Sequence, residues 1–249
     1  MNTRVKGFIY LLLSAVYFGF MPLLVKVICA DGSTIVGALF LRFALAIIPL
    51  YIYLKVRKVP MELSVKKGKK ILCVTVFGYG ITALLLYSAY DYMPSGMATV
   101  IHFGYPVFVL LGSLIFLRRR VPKLKMVCVG LCMIGIFLSY AGSGGEAKPM
   151  GFVFALISGM TYAFYILYLE VGGLQDIPAM KMIFYMNIVG SIMVFLIGKV
   201  SGSFVLHMNV NAWIAAFVLS LGAAFIGVGF FQYGVQYVGA QDAAILSTF

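Results

Sequence analysis

The chain has 249 residues, of which 63% are hydrophobic and only 10% charged, with a mean hydropathy of +1.07. Soluble domains average about 25% charged residues, so this composition excludes a water-soluble fold and points to an integral membrane protein. The net charge of +12 invites a nucleic-acid reading, but the basic residues crowd into short gaps between apolar runs, "KVRKVPMELSVKKGKK" (55–70) and "RRRVPKLK" (118–125), the pattern of loops held on the cytoplasmic side of a membrane.

The first apolar run, 8–28, follows Arg4 and Lys6. It exceeds the core of a signal peptide, roughly 7–15 residues, so it reads as a retained helix. Further runs follow at 34–54, 71–90, 96–117, 124–140, 150–169, 180–197 and 213–237, and a ninth begins at Ala240. Crossing the hydrocarbon core takes about 20 apolar residues. The runs are continuous rather than alternating, which selects helices over barrel strands. In the first half every basic gap falls on the side of the N-terminus, predicting a cytoplasmic N-terminus. Lys181 and Lys199 fall on opposite sides, so the second half is oriented by counting spans alone.

The chain carries an internal repeat. "GFIYLLLSAVYFGFMPLLVK" (7–26) aligns with "GFVFALISGMTYAFYILYLE" (151–170), 144 residues later. "AYDYMPSGMATVIHFG" (89–104) aligns with "GVQYVGAQDAAILSTF" (234–249), 145 residues later, pairing Tyr92 with Tyr237 and Ala98 with Ala243. Five helices per unit, an odd number, make the second copy enter from the opposite side. The predicted architecture is therefore an all-α integral membrane protein built as an inverted repeat of five transmembrane helices (5+5), ending here within the ninth. Residues 1–140 form the first unit, 141–149 the linker and 150–249 the second unit, represented by its first three helices and the start of the fourth.

This arrangement resembles the EamA family of the drug/metabolite transporter superfamily over the whole chain. The resemblance rests on Arg42 in the second span, Pro106 after "PSGMATVIHFGY", and Gly130 with Gly135 in the fifth span. It implies a multi-pass protein of the bacterial inner membrane with ten helices, many of whose relatives export amino acids or other small metabolites. Where the family usually reads Gly-Glu-Arg after the fourth helix, this chain has Arg118 and Arg119 in the first two places.

The polar residues inside the spans are the candidate substrate contacts. Pro106 cannot donate to the carbonyl of His102, so one residue marks both a freed carbonyl and an imidazole at mid-span. Thr99, His102 and Pro106 share a stripe that predicts a wet cavity, or else a kinked packing helix whose histidine bonds a neighbour. Tyr17 in the first span and Thr161 with Tyr165 in the sixth repeat the pattern. Tyr79 and Tyr87 in the third span face Gln232 and Gln236 in the eighth, with Tyr87 and Gln232 equivalent in the repeat. Tyr90, near the edge of its span, reads as part of an interfacial aromatic belt. Arg42 lies about 12 Å into its span and needs carbonyls, a tyrosine or substrate as its partner; it reads as a structural intramembrane charge.

No phosphate-binding loop, metal-ligand set, nucleophile elbow or paired carboxylate is present, which argues against an enzyme, a metal site or a cofactor. The expectation is a secondary transporter in the lipid bilayer acting on a small-molecule substrate, without nucleic acid, with a homodimer open to it. The rival readings are a non-transporting membrane assembly or sensor protein and an inactive truncated fragment.

Overall fold

The computed structural model describes residues 3–118, 122–142 and 148–247; Arg119 and most of the expected linker lie outside them. All regular structure among these residues is helical. In chain order the elements are α1 (Thr3–Ala30), α2 (Ile35–Val56), α3 (Val65–Val74), α4 (Ile81–Ala89), α5 (Ser95–His102), α6 (Tyr105–Ile115), α7 (Lys123–Ala141), α8 (Pro149–Val171), α9 (Ala179–Val200), α10 (Val210–Gly222), α11 (Phe230–Val238) and α12 (Ala240–Leu246). Two π-helical segments, Thr75–Gly80 and Ala223–Gly229, join α3 to α4 and α10 to α11 without a break.

Seven of the eight complete spans read from the sequence are helical stretches of 21–29 residues that are apolar enough to cross a membrane. The remaining one, 124–140, lies within α7, whose 19 residues extend about 28 Å at 1.5 Å per residue. The helix starts follow local chemistry. Thr34, Ser64 and Asn209 accept from backbone N–H groups of the first turns of α2, α3 and α10. Pro94, Pro122 and Pro178 sit just ahead of α5, α7 and α9, where a missing N–H costs nothing. Gly239, at φ 84°, makes the left-handed turn that separates α11 from α12.

Loop contacts sort the helix ends into two sides. At the basic end, Lys67 pairs with Asp176, and Lys70 Nζ donates to the Gly172 carbonyl at 2.7 Å. There too Lys181 Nζ donates to the Glu62 carbonyl at 2.6 Å, and Lys125 pairs with Asp242. At the opposite end Asp31 accepts from Asn209. Ser33 and Thr34 donate to the carbonyls of Val205 and Ser203 at 2.9 and 2.5 Å, and Lys148 N donates to the Tyr92 carbonyl at 3.0 Å. By these contacts α1 starts at the basic end and α8 starts at the other, so the first helices of the two repeats run in opposite directions.

The two repeats interlock rather than stand side by side. α1 packs on α10, the Ala223–Gly229 segment and α11, while α8 packs on α4, α5, α6 and the Thr75–Gly80 segment; α2 packs on α9. The polar joints are related by the repeat. Ser14 Oγ donates to the Gly227 carbonyl at 2.7 Å, and Thr82 Oγ1 lies 3.5 Å from the Ser158 carbonyl and 2.7 Å from Thr161 Oγ1. Ser14 and Ser158 are 144 residues apart, and Thr82 and Gly227 are 145 apart. The π segments start 148 residues apart, so the second lies about one turn further along its span than the register of the helix ends would place it.

Two stability outcomes follow. A Cβ on Gly37 would stand inside contact distance of the Val205 backbone carbonyl, whereas one on Gly19 meets nothing within 4 Å. Gly37→Ala is expected to destabilise the purified protein by about 1–3 kcal/mol and Gly19→Ala to be neutral or mildly stabilising, read as thermal midpoints in detergent. Separately, the Lys67 ammonium holds the Asp176 carboxyl below its ordinary value. Its contribution is present at neutral pH and lost as pH falls through that lowered value. The small gap in thermal midpoint between the native chain and Asp176→Asn should therefore close in acid and not in base.

Candidate functional site

The expected fourth span is two helices. α5 ends at His102, α6 begins at Tyr105, and Phe103 and Gly104 turn the chain between them, Phe103 N–H donating to the Thr99 carbonyl and Gly104 N–H to the Ile101 carbonyl. Pro106 occupies the first turn of α6, where its missing N–H is free of cost. α8 passes this break at Gly159, so closely that a Cβ there would stand 3.1 Å from the His102 carbonyl. The His102 ring is buried, with Nδ1 2.8 Å from Ser158 Oγ. Ser158 Oγ also donates to the Ala155 carbonyl at 2.6 Å. With that hydroxyl proton engaged, the imidazole proton belongs on Nδ1, and Nε2 is left as an acceptor.

An inner cavity of about 50 Å³ opens beside the break. A single water needs about 10–15 Å³ measured this way, so the space holds a few waters. Arg42 and Tyr79, Tyr87 and Tyr90 form one wall; Thr99, His102 and Phe103 form the second; Tyr105 and Tyr162 close it, with Phe18 and Met21 of α1 opposite. The Arg42 guanidinium carbon lies 5.5–5.6 Å from the ring centres of Phe43, Tyr79 and Tyr87. Its Nη2 is 3.5 Å from the Tyr79 hydroxyl, and its backbone carbonyl accepts from Ser220 at 2.8 Å.

Of the residues singled out from the sequence, Tyr79, Tyr87, Thr99 and His102 line this cavity, and Arg42 does as well. Pro106 is buried beside it. Tyr165 packs its ring 5.7 Å from Tyr79 and accepts from Gln232 Nε2 at 3.0 Å, so it stands between the cavity and Gln232, whose Oε1 has no partner among the described residues. Thr161 is engaged with Thr82. Tyr17 lies away from the lining; its hydroxyl donates to the Val218 and Leu219 carbonyls at 2.7 and 3.1 Å. Gln236 is exposed on the outward side of α11, whose buried residues are Phe231, Gln232, Gly234 and Val235. Both are corrections to the stripe expected from spacing.

Three lining tyrosines were not anticipated as cavity residues. Tyr105 meets Tyr162 edge-on at 4.8 Å, and the contacts continue through Tyr165 to Tyr79 as one aromatic column. Tyr90, expected in an interfacial belt, stacks on Tyr87 at 5.6 Å with its hydroxyl 3.3 Å from Thr99 Oγ1. It also lines a vestibule of about 520 Å³ at the end opposite the basic loops, together with Lys26, Asp91 and Ser95. Partial burial raises the Asp91 carboxyl above its ordinary value. Tyr90 is thus the wall shared by the vestibule and the inner cavity.

A solved crystal structure superposes on 99% of this chain and 83% of its own at a TM-score of 0.71 and 14% identity, a likeness of fold. An uncharacterized transporter of Synechocystis is 27% identical over 171 residues, covering 66% of this chain and 50% of that protein. The uncharacterized transporter YvbV of Bacillus subtilis is 26% identical over 184 residues, covering 72% of this chain and 56% of that protein. The chain thus spans about half the length of the relatives it matches. The EamA-like transporter family matches residues 5–141 and 149–249, and two interlocked helical units around a polar break are what those two segments build, with seven helices long and apolar enough to cross a membrane: the chain belongs to the EamA-like transporter family.

Proposed function

We propose that the protein is a secondary transporter that exports amino acids or other small metabolites across a bacterial inner membrane by alternating access between its two repeats. The observation that carries this reading is the inner cavity itself. A histidine, an arginine, a threonine and several tyrosines meet at a helix break between two interlocked units, deep in a fold whose outer surface is apolar. Polar groups at such depth are expensive, and a protein that only scaffolds has no use for them. The residues taken as substrate contacts are Tyr79, Tyr87, Thr99 and His102, with Tyr165 and Gln232 behind them. Tyr90 acts as the gate on the vestibule side.

The basic end faces the cytoplasm on this reading, by the retention of Lys and Arg on that side. In a chain whose four cysteines are changed to Ser, a membrane-impermeant maleimide should label Lys66→Cys only in inverted vesicles and Lys148→Cys only in intact cells. The reverse pattern would reject the orientation.

Transport itself is tested in inverted vesicles with a broad panel of radiolabelled metabolites. At least one should accumulate above empty vesicles. His102→Ala should lower that uptake roughly tenfold per folded molecule, the cost of about one charged or buried hydrogen bond. Gln236→Ala, on the exposed face, should transport normally. A panel with no accumulation would leave a non-transporting membrane protein or an inactive fragment as the reading.

A further inference from the structure

Arg42 is 5% exposed, yet its side chain is poorly satisfied. A guanidinium has five N–H donors and never loses its charge in a protein. Among the described residues its acceptor is the Tyr79 hydroxyl, at 3.5 Å, and Nε has none. The ion pairs among these residues join lysines to aspartates and leave Arg42 out. The three rings around it offer their faces, which favour a cation but accept none of its in-plane N–H groups. The bond from Ser220 goes to the Arg42 backbone and does nothing for the guanidinium.

A second unsatisfied group lines the same cavity. The Tyr87 hydroxyl is buried, with its residue 1% exposed, and among the described residues it has no hydrogen-bond partner. Its ring lies 5.6 Å from the Arg42 guanidinium carbon. The lining contains no Asp or Glu among the described residues. A cavity with one fixed cation, a spare hydroxyl donor and no carboxylate is complementary to an anion. The planar fork of arginine suits the two oxygens of a carboxylate better than a spherical ion. Phe18, Met21 and Leu86 supply an apolar remainder, and no anionic side chain among the described lining residues pairs with a substrate ammonium beside the Arg42 charge.

We propose that the inner cavity is a carboxylate site: Arg42 and the Tyr87 hydroxyl bind the carboxylate of a small organic acid, whose hydrocarbon part lies against Phe18 and Met21. The proposal rests on the reading of this cavity as the substrate site and narrows that reading to monocarboxylates that carry no ammonium group.

The test is equilibrium binding to the purified full chain in detergent, read as the rise in thermal midpoint on titration with propionate, propionamide, alanine and chloride. Propionate should raise the midpoint at concentrations at least tenfold below those needed for the other three. Tyr87→Phe keeps the ring and the cation and should weaken propionate roughly tenfold, the worth of one hydrogen bond to a charged group. Arg42→Lys keeps the charge and loses the fork, and should weaken it further. Equal responses to propionate and to propionamide, alanine or chloride overturn the proposal, as does undiminished propionate binding in Tyr87→Phe and Arg42→Lys. Binding in detergent requires no transport. Propionate binding without vesicle uptake of any solute tells against the transport reading alone, and uptake of a neutral solute without propionate binding tells against the carboxylate site alone.

Discussion

A backbone carbonyl that loses its helical partner inside a bilayer must be covered by protein or by enclosed water, because lipid offers it nothing. The break between α5 and α6 leaves such a carbonyl on His102, and much of the surrounding structure follows from covering it. α8 approaches the break at Gly159, where the missing side chain lets two backbones come together. Once α8 is there, Ser158 meets the His102 ring and Tyr162 packs on it at 5.2 Å. The same approach brings Ser158 and Thr161 against Thr82 of α4. A polar break in one repeat is therefore sealed by the first helix of the other, and the two units cannot be pulled apart without exposing it.

The repeat is symmetric in its joints and asymmetric in its chemistry. Ser14 meets Gly227 and Ser158 meets Thr82 at equivalent positions, although Ser14 donates from its hydroxyl while Ser158 accepts at its backbone carbonyl. At the centre the copies diverge. Tyr87 corresponds to Gln232, and 145 residues after Arg42 stands Asn187, whose amide is consumed within its own helix by the Ile183 carbonyl at 2.8 Å. Gln232 likewise spends its amide on Tyr165. The first unit keeps a fixed positive charge beside open space, and the second presents neutral groups that pair with one another. Charge in a low-dielectric interior is tolerated at one place, where three aromatic faces surround it, and its counterpart is filled with uncharged side chains that need no such support.

The spans were legible because crossing a bilayer imposes length and hydropathy directly on the sequence. His102, Pro106 and Arg42 stood out because ionisable groups and proline are rare in such runs. Tyr105 and Tyr162 did not stand out, since an aromatic ring in an apolar helix looks alike whether it faces lipid, core or cavity. Gln236 misled for a different reason. It shares a helical stripe with Gln232, but spacing does not report what covers a position, and one turn beyond Gln232 that stripe is exposed. Tyr90 misled in the opposite sense: its place near the end of a span suggested the interface, while the loop after it folds Pro94 and Ser95 over the same end and makes a vestibule there. The π segments have no signature in hydropathy. Their extra residue per turn shifts the faces of α4 and α11, and the glycines within them, Gly78 and Gly227, mark where Tyr165 and Phe18 press in.

The barriers on the two sides of the inner cavity differ in kind. Toward the vestibule the partition is Tyr90, held by one contact of 3.3 Å to Thr99 and by stacking on Tyr87. On the proposed reading, rotation of this one side chain, with the loss of those two contacts, would open it. Toward the basic end the cavity is closed by the column Tyr79, Tyr165, Tyr162 and Tyr105, and beyond that by ties between loops of different repeats, Lys67 to Asp176, Lys70 to Gly172 and Lys181 to Glu62. Opening there requires α3 and α9 to separate, with several contacts broken together. On the proposed reading the two steps of a transport cycle would therefore be unlike: a local gate on one side and a movement of whole repeats on the other. An anion at Arg42 would bias the second step, because it neutralises the charge that otherwise has to be carried, unpaired, through the rearrangement.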